Sequence, residues 1–171
     1  AIAVFYVSLF LIVYVYVGYL VVVYFMGLVR RRDVRKGAYE GNVTLLVAAF
    51  NEEDCIGDTI RNKLDLNYPK EKLEIIVVSD GSTVRTDEIV TEYASDRVRL
   101  IRQPTRCGKT RALNVGARAA RGDIIVSCDA NSMYRGDALR KLLGSFLDPS
   151  VGYVTGKMVY ANADGSSIGA G

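Results

Sequence analysis

Residues 1–29 carry no charged side chain, and this run constrains the fold more than anything else in the sequence. Val, Leu, Ile, Phe and Tyr dominate it. At about 1.5 Å per residue, a helix of that length exceeds a hydrocarbon layer of about 30 Å. A secretory signal has a basic start, a shorter apolar stretch and a small-residue cleavage site, and the run shows none of these. A spanning helix over 1–29 is therefore expected. Arg30, Arg31, Arg32, Arg35 and Lys36 follow it, interrupted only by Asp33 and Val34. Basic residues that flank a span stay on the cytoplasmic side. This predicts a single-pass anchor in the plasma (inner) membrane, touching membrane lipid, with the globular part in the cytosol.

The same basic cluster accounts for the net charge of +3, because residues 30–36 hold five of the 22 basic residues and only one of the 19 acidic ones. The remainder is nearly balanced and lacks the concentrated basic surface that nucleic-acid binding needs, so no nucleic-acid partner is expected. The sequence contains no histidine. That removes the ordinary Ser-His-Asp and Cys-His hydrolases and most zinc enzymes. Cys55, Cys107 and Cys128 are far apart, without pairing or zinc spacing, and read as reduced packing residues. Chemistry must rest on carboxylates, lysine or arginine, and backbone groups.

Beyond a basic juxtamembrane linker at 30–42, short β-rich runs alternate with amphipathic ones. Strands are expected at 43–49, 73–79, 98–101, 123–128 and 151–160, and helices at 54–66, 86–94, 110–120 and 137–147. In the first helix Ile56, Ile60 and Leu64 recur every fourth residue, which makes one apolar face. Regular strand-helix alternation implies parallel pairing through right-handed crossovers, an α/β sheet covered on both faces. The sequence starts without methionine and ends in the small-residue stretch from Asn162 to Gly171, which is expected to be a loop continuing into a longer chain.

Ligands of such sheets bind at the carboxyl ends of the strands. Three strands end in polar clusters: Phe50-Asn51-Glu52-Glu53, Ser79-Asp80-Gly81-Ser82 and Asp129-Ala130-Asn131. A single acidic strand end is commonplace, since Asp and Glu also cap the next helix; three on one edge suggest a site. A fourth element, Cys107-Gly108-Lys109-Thr110, offers a glycine, a lysine and free N–H groups at a helix start, which together suit an anion. A P-loop would need glycine five residues before Gly108, where Gln103 stands, so a nucleotide-hydrolysing domain is an incomplete match. A non-catalytic membrane-anchored scaffold is the remaining alternative.

Five segments in order, Val47-Ala48-Ala49-Phe50-Asn51-Glu52-Glu53, Val77-Val78-Ser79-Asp80-Gly81-Ser82-Thr83, Gly108-Lys109-Thr110-Arg111-Ala112-Leu113-Asn114, Asp129-Ala130-Asn131 and Val151-Gly152-Tyr153-Val154-Thr155-Gly156, resemble the family 2 glycosyltransferases of the GT-A fold. The resemblance implies a Rossmann-like GT-A nucleotide-sugar-binding domain, partial over 43–171, in an inverting hexosyltransferase akin to the membrane-bound polysaccharide synthases. It implies a UDP-sugar donor and a glycan or lipid-linked acceptor. Phe50 and Glu52 would line the uracil and ribose pocket, Asp80 would reach the base, and Lys109 would neutralise the diphosphate. Asp129 would touch the ribose and a Mg²⁺ or Mn²⁺ ion, with Asn131 as the second metal position. Asn131 departs from the family's second aspartate, and an uncharged amide holds a metal less tightly than a carboxylate. Val84 departs from an aspartate that serves the helix start. The family's catalytic base and its acceptor-site motif lie beyond the equivalent of Tyr160 and do not occur here, so the base is expected beyond Gly171. These residues alone are therefore expected to bind nucleotide without transferring sugar.

Other residues keep two readings each. The tyrosines at 6, 14, 16, 19 and 24 suit interfacial anchoring, helix packing or a channel lining. Arg102, Arg106 and Arg111 suit phosphate or solvent, and Asn114 suits the nucleotide or helix packing.

Overall fold

The computed structural model describes residues 1–29, 33–161 and 167–168. Arg30, Arg31 and Arg32, and all of the 162–171 tail except Ser167–Ile168, lie outside the described residues. The chain divides into two units, residues 1–35 and 36–171.

In the first unit, α1 (Ile2–Val13) and α2 (Tyr19–Val29) join through a π-helical turn, Tyr14–Gly18. They form one helix, Ile2–Val29, long and apolar enough to cross a membrane, with none of its spanning window buried. The tyrosines of this helix are exposed, and Phe10 stacks on Tyr14. A helix that is apolar on every side belongs either in a large core or in lipid.

The second unit is built on a parallel sheet of β1 (Val43–Ala49), β2 (Leu73–Asp80), β3 (Val98–Gln103) and β4 (Ile124–Asp129), ordered β3-β2-β1-β4. Between the strands run α3 (Ile56–Leu64), α4 (Thr86–Glu92) and α5 (Lys109–Ala119), and α6 (Ala138–Leu143) follows β4. Two steps run outward from β1 through α3 and α4, and the third returns past β1 to β4 through α5. Right-handed crossovers put helices of opposite direction on opposite faces. Accordingly Val43, Leu45 and Val47 of β1 pack with Ile56 and Ile60 of α3, Val90 of α4 and Leu139 and Leu143 of α6. Leu46, Ile76 and Val78 turn the other way, onto Ala112 of α5. Alternation along the strands supplies both faces at once.

One expectation is corrected here. Residues 151–159 form no strand, and Tyr153 and Met158 among them are well exposed. Only Tyr160–Ala161 (β5) pairs, antiparallel with Ser167–Ile168 (β6). The β-rich composition of this stretch is no substitute for a neighbouring strand to satisfy its backbone groups. Residues 37–41 are held within the second unit by hydrogen bonds. Gly37 N–H donates to the Gly144 carbonyl, Tyr68 Oη–H to Gly41 O at 2.6 Å, and Lys72 Nζ to Glu40 O at 2.7 Å.

Candidate functional site

The sheet order reverses between β1 and β4, and such a switch point opens a crevice at the strands' carboxyl ends. In register, Ala48 lies beside Asp129, Ala49 beside Ser79, and Asp80 beside Gln103. The three polar clusters therefore share one edge. A cavity of about 300 Å³ opens there, and Phe50, Glu52, Asp80, Lys109, Asp129 and Asn131 all line it. Arg106 and Gly108 line it too, whereas Arg102 pairs with Asp87 at 3.0 Å. Arg111 and Asn114 lie exposed on α5 and do not line the cavity. The catalytic base, expected beyond Gly171, falls outside the described residues, as Gly171 itself does.

The loop after β1 is stitched to the loop after β2. Asn51 takes a left-handed backbone (φ 55°), which asparagine tolerates, and its Oδ1 accepts from Thr83 N–H at 2.9 Å. Asn51 N–H donates to Ser82 Oγ at 3.2 Å and Glu52 N–H to Thr86 Oγ1 at 2.9 Å. Ser82 and Thr86, both buried, thus aim Phe50 and Glu52. Sequence reasoning assigned them no role, although a Ser/Thr-rich turn at a strand end was the available signal. The Cys55 thiol donates to Glu52 Oε2 at 3.1 Å, and burial followed by that carboxylate pushes the thiol up to about 11.

The loop before α5 is gripped by Asp80. Its two carboxylate oxygens accept from Cys107 N–H and Gly108 N–H, each at 2.7 Å. Gly81 lies at φ +71°, and a Cβ there would come within 2.6 Å of Arg106 N, so only glycine lets this loop pass. Gly108 lies at φ +91° and opens α5, whose first-turn N–H groups point their partial positive charge outward from the helix start. Lys109 Nζ pairs with Asp129 Oδ1, and both side chains are about half exposed. The Arg106 guanidinium lies 4.1 Å over the centre of the Phe50 ring.

The loop after β4 leans on α3. Thr59 Oγ1 donates to Ala130 O at 2.5 Å, and Asn62 brackets the Tyr134 backbone, accepting from its N–H at 2.8 Å and donating to its carbonyl at 2.9 Å.

No group of three or more His, Cys, Asp or Glu side chains gathers among the described residues. Asp129 and Asn131 offer one carboxylate and one amide oxygen on the cavity wall. This donor set is poor as a standing metal cage. It fits Mg²⁺ or Mn²⁺ held jointly with phosphate oxygens and water, the usual arrangement for a hard ion beside a nucleotide.

The amide groups that would cradle a phosphate in a nucleotide hydrolase, Cys107 N–H and Gly108 N–H, are both taken by Asp80. Comparison with known proteins agrees. A probable glycosyltransferase, YdaM, of Bacillus subtilis is 39% identical over 127 residues, covering 71% of this chain and 30% of its own length. The poly-beta-1,6-N-acetyl-D-glucosamine synthase of Staphylococcus aureus is 37% identical over 130 residues, covering 74% of this chain and 31% of its own. The chain thus spans about three-tenths of the length of these curated relatives. Among solved structures, a mannosyltransferase from Pyrobaculum calidifontis, in complex with GDP-Man and Mn²⁺, superposes with a TM-score of 0.65 at 32% identity over 71% of this chain and 38% of its own. Staphylococcus aureus TarS, at 24% identity and TM-score 0.55 over 58% of this chain and 30% of its own, shares the fold. The profile described as "Glycosyl transferase family 2" matches residues 44–170, and the chain, a four-stranded GT-A sheet with flanking helices, belongs to that family.

Proposed function

We propose that this chain is the donor-binding half of a membrane-anchored, inverting glycosyltransferase that moves a hexosyl group from a UDP-sugar to a glycan or lipid-linked acceptor. One observation carries the reading: six side chains scattered from position 50 to position 131 line a single cavity at the sheet's switch point. Phe50 offers a ring face to the base, and a base reaching it either displaces Arg106 or stacks on its outer side. Glu52 offers a carboxylate to the ribose hydroxyls. The α5 N-terminus and Lys109 face the diphosphate, where their positive charge stabilises the leaving group as the acceptor hydroxyl attacks the anomeric carbon. Asp129 and Asn131 would hold a divalent ion, which supplies further charge to the leaving diphosphate.

Each described carboxylate of the cavity already has a partner. Glu52 takes the Cys55 thiol, Asp80 two amides and Asp129 the lysine. These partners fix where the carboxylates stand on the cavity wall, and the reading assigns the base for the acceptor hydroxyl to none of them, so nucleotide binding without sugar transfer is the behaviour expected of these residues. The Ile2–Val29 helix anchors the chain in the plasma (inner) membrane, with the transferase domain in the cytosol, where nucleotide sugars are made.

Titration calorimetry of the detergent-solubilised chain with UDP, GDP and ATP, with and without MnCl₂, tests the reading. UDP should bind tightest, with Mn²⁺ raising its affinity, and Asp129→Ala should cost about tenfold or more in the metal-supported affinity. Preference for GDP would change the donor and leave the site intact. Binding of none of the three, or tightest binding of ATP, would sink the proposal.

A further inference from the structure

Lys63, in the last turn of α3, is the largest fully buried side chain among the described residues. A lysine with no exposed surface is uncommon, because burial disfavours the ammonium. Burial does lower its pKa here, and no carboxylate is among the groups acting on it. The ammonium nonetheless meets two oxygen acceptors and a ring face. Nζ donates to the Ser132 carbonyl and to Asn62 Oδ1 at 3.1 Å, and it lies 4.1 Å over the centre of the Tyr134 ring. The Tyr134 hydroxyl in turn lies beside the buried Cys128 thiol.

The carbonyl and the ring that Lys63 reaches outside α3 both belong to the loop that leaves β4 directly after Asp129. With Thr59 on the Ala130 carbonyl and Asn62 on both backbone groups of Tyr134, one face of α3 holds that loop at 130, 132 and 134. Asn131 sits between two of these points, exposed on the cavity wall. A loop with only one carboxylate and one amide to offer a metal gains more from being held still than one with a full set of charges, because a neutral ligand contributes only when already in place. An apolar side chain of the same length would fill the space at no cost in charge burial. The ammonium is explained by the carbonyl and the ring it fastens.

We propose that Lys63 is a positioning residue for metal-supported donor binding: by fastening the 130–134 loop to α3 it sets Asn131 relative to Asp129. The inference rests on the donor-site reading above, and its test separates the two. Hydrogen exchange followed by mass spectrometry on Lys63→Met should show faster exchange across 130–134 and unchanged exchange in β1 and β2. Calorimetry with UDP should show the gain in affinity from Mn²⁺ reduced about 10-fold to 100-fold, with affinity in the absence of metal within about twofold of the original. A packing role alone predicts the reverse, a lower melting temperature with the Mn²⁺ gain preserved. Thr59→Val, nearly isosteric, removes the hydroxyl from the Ala130 carbonyl and carries the same two readouts should Lys63→Met fail to fold. Unchanged loop exchange, or an unchanged Mn²⁺ gain in a folded variant, overturns the proposal. If the original protein binds neither UDP nor GDP, the donor-site reading falls, and the exchange experiment still decides whether Lys63 holds the loop.

Discussion

Asp80 is only 4% exposed, and both its carboxylate oxygens accept backbone hydrogen bonds from the loop that opens α5. Bonds to a charged acceptor contribute about 1.5–3 kcal/mol each. Asp80→Ala should therefore destabilise the domain by on the order of 3 kcal/mol in urea denaturation. It should also weaken UDP, because Gly108 and Lys109 lose their anchor. Asp80→Asn, which keeps one acceptor oxygen, should recover part of both. The buried thiols make a second prediction at this scale. Burial lifts Cys128 and Cys55 from an ordinary 9.0 to about 11 in the folded protein. An acid whose folded-state pKa is raised contributes stability that is whole below about pH 9 and is lost as pH climbs toward 11, because the unfolded chain releases its proton first. Tyr134 and Tyr68, also raised by burial, act in the same sense from about pH 10, while Lys63, lowered by burial, acts in the opposite one. The measurement is therefore a difference. Between pH 9 and 11, urea stability should fall less steeply in Cys128→Ala than in the unaltered protein.

At the scale of elements, the site is a meeting of loops held by short polar contacts, and two glycines mark where the backbone has no alternative. Gly81→Ala would place a Cβ 2.7 Å from the Thr105 carbonyl carbon and 2.6 Å from Arg106 N, at φ +71°. The left-handed backbone alone costs about 1–2 kcal/mol, and the displaced loop adds to that. Its melting temperature should fall more than that of Gly108→Ala, where φ is +91° but no atom lies within 4 Å of the added Cβ. Residues 43–49 and 73–80 were legible as strands because apolar side chains fill most of both their faces. Residues 56–64 were legible as a helix because Ile56 and Ile60 repeat at helical spacing. The stretch 151–159 misled for the complementary reason: Val, Tyr and Thr favour a strand, yet a strand exists only where another chain segment completes its ladder. Ser82, Thr86, Thr59 and Asn62 were invisible as site-builders because their partners lie about 30 to 70 residues away.

The whole molecule joins an apolar helix to a nucleotide-sugar fold, and the proposed topology is testable without any assay of transfer. Expressed in a bacterial host, the chain should stay in the membrane pellet after carbonate washing, and a variant lacking residues 1–29 should leave it. Cys107 is exposed, Cys55 partly covered and Cys128 buried. A membrane-impermeant maleimide should therefore label Cys107 in permeabilised cells and spare it in intact ones; prompt labelling of intact cells would reverse the orientation.

The sequence by itself determined the period of each element and the chemical kind of each site residue, since apolar spacing, glycine and charge act locally and survive in a one-dimensional reading. It also carried the order of the five motifs on which the family resemblance rests. Only the tertiary structure decided which partners those residues meet. Parallel pairing with reversal at β1 brings Glu52, Asp80, Lys109 and Asp129 to one rim, and the packing of α3 under the β4 loop sets a buried lysine against the segment that carries Asn131. Such contacts depend on chain closure over tens of residues, and no local propensity encodes them.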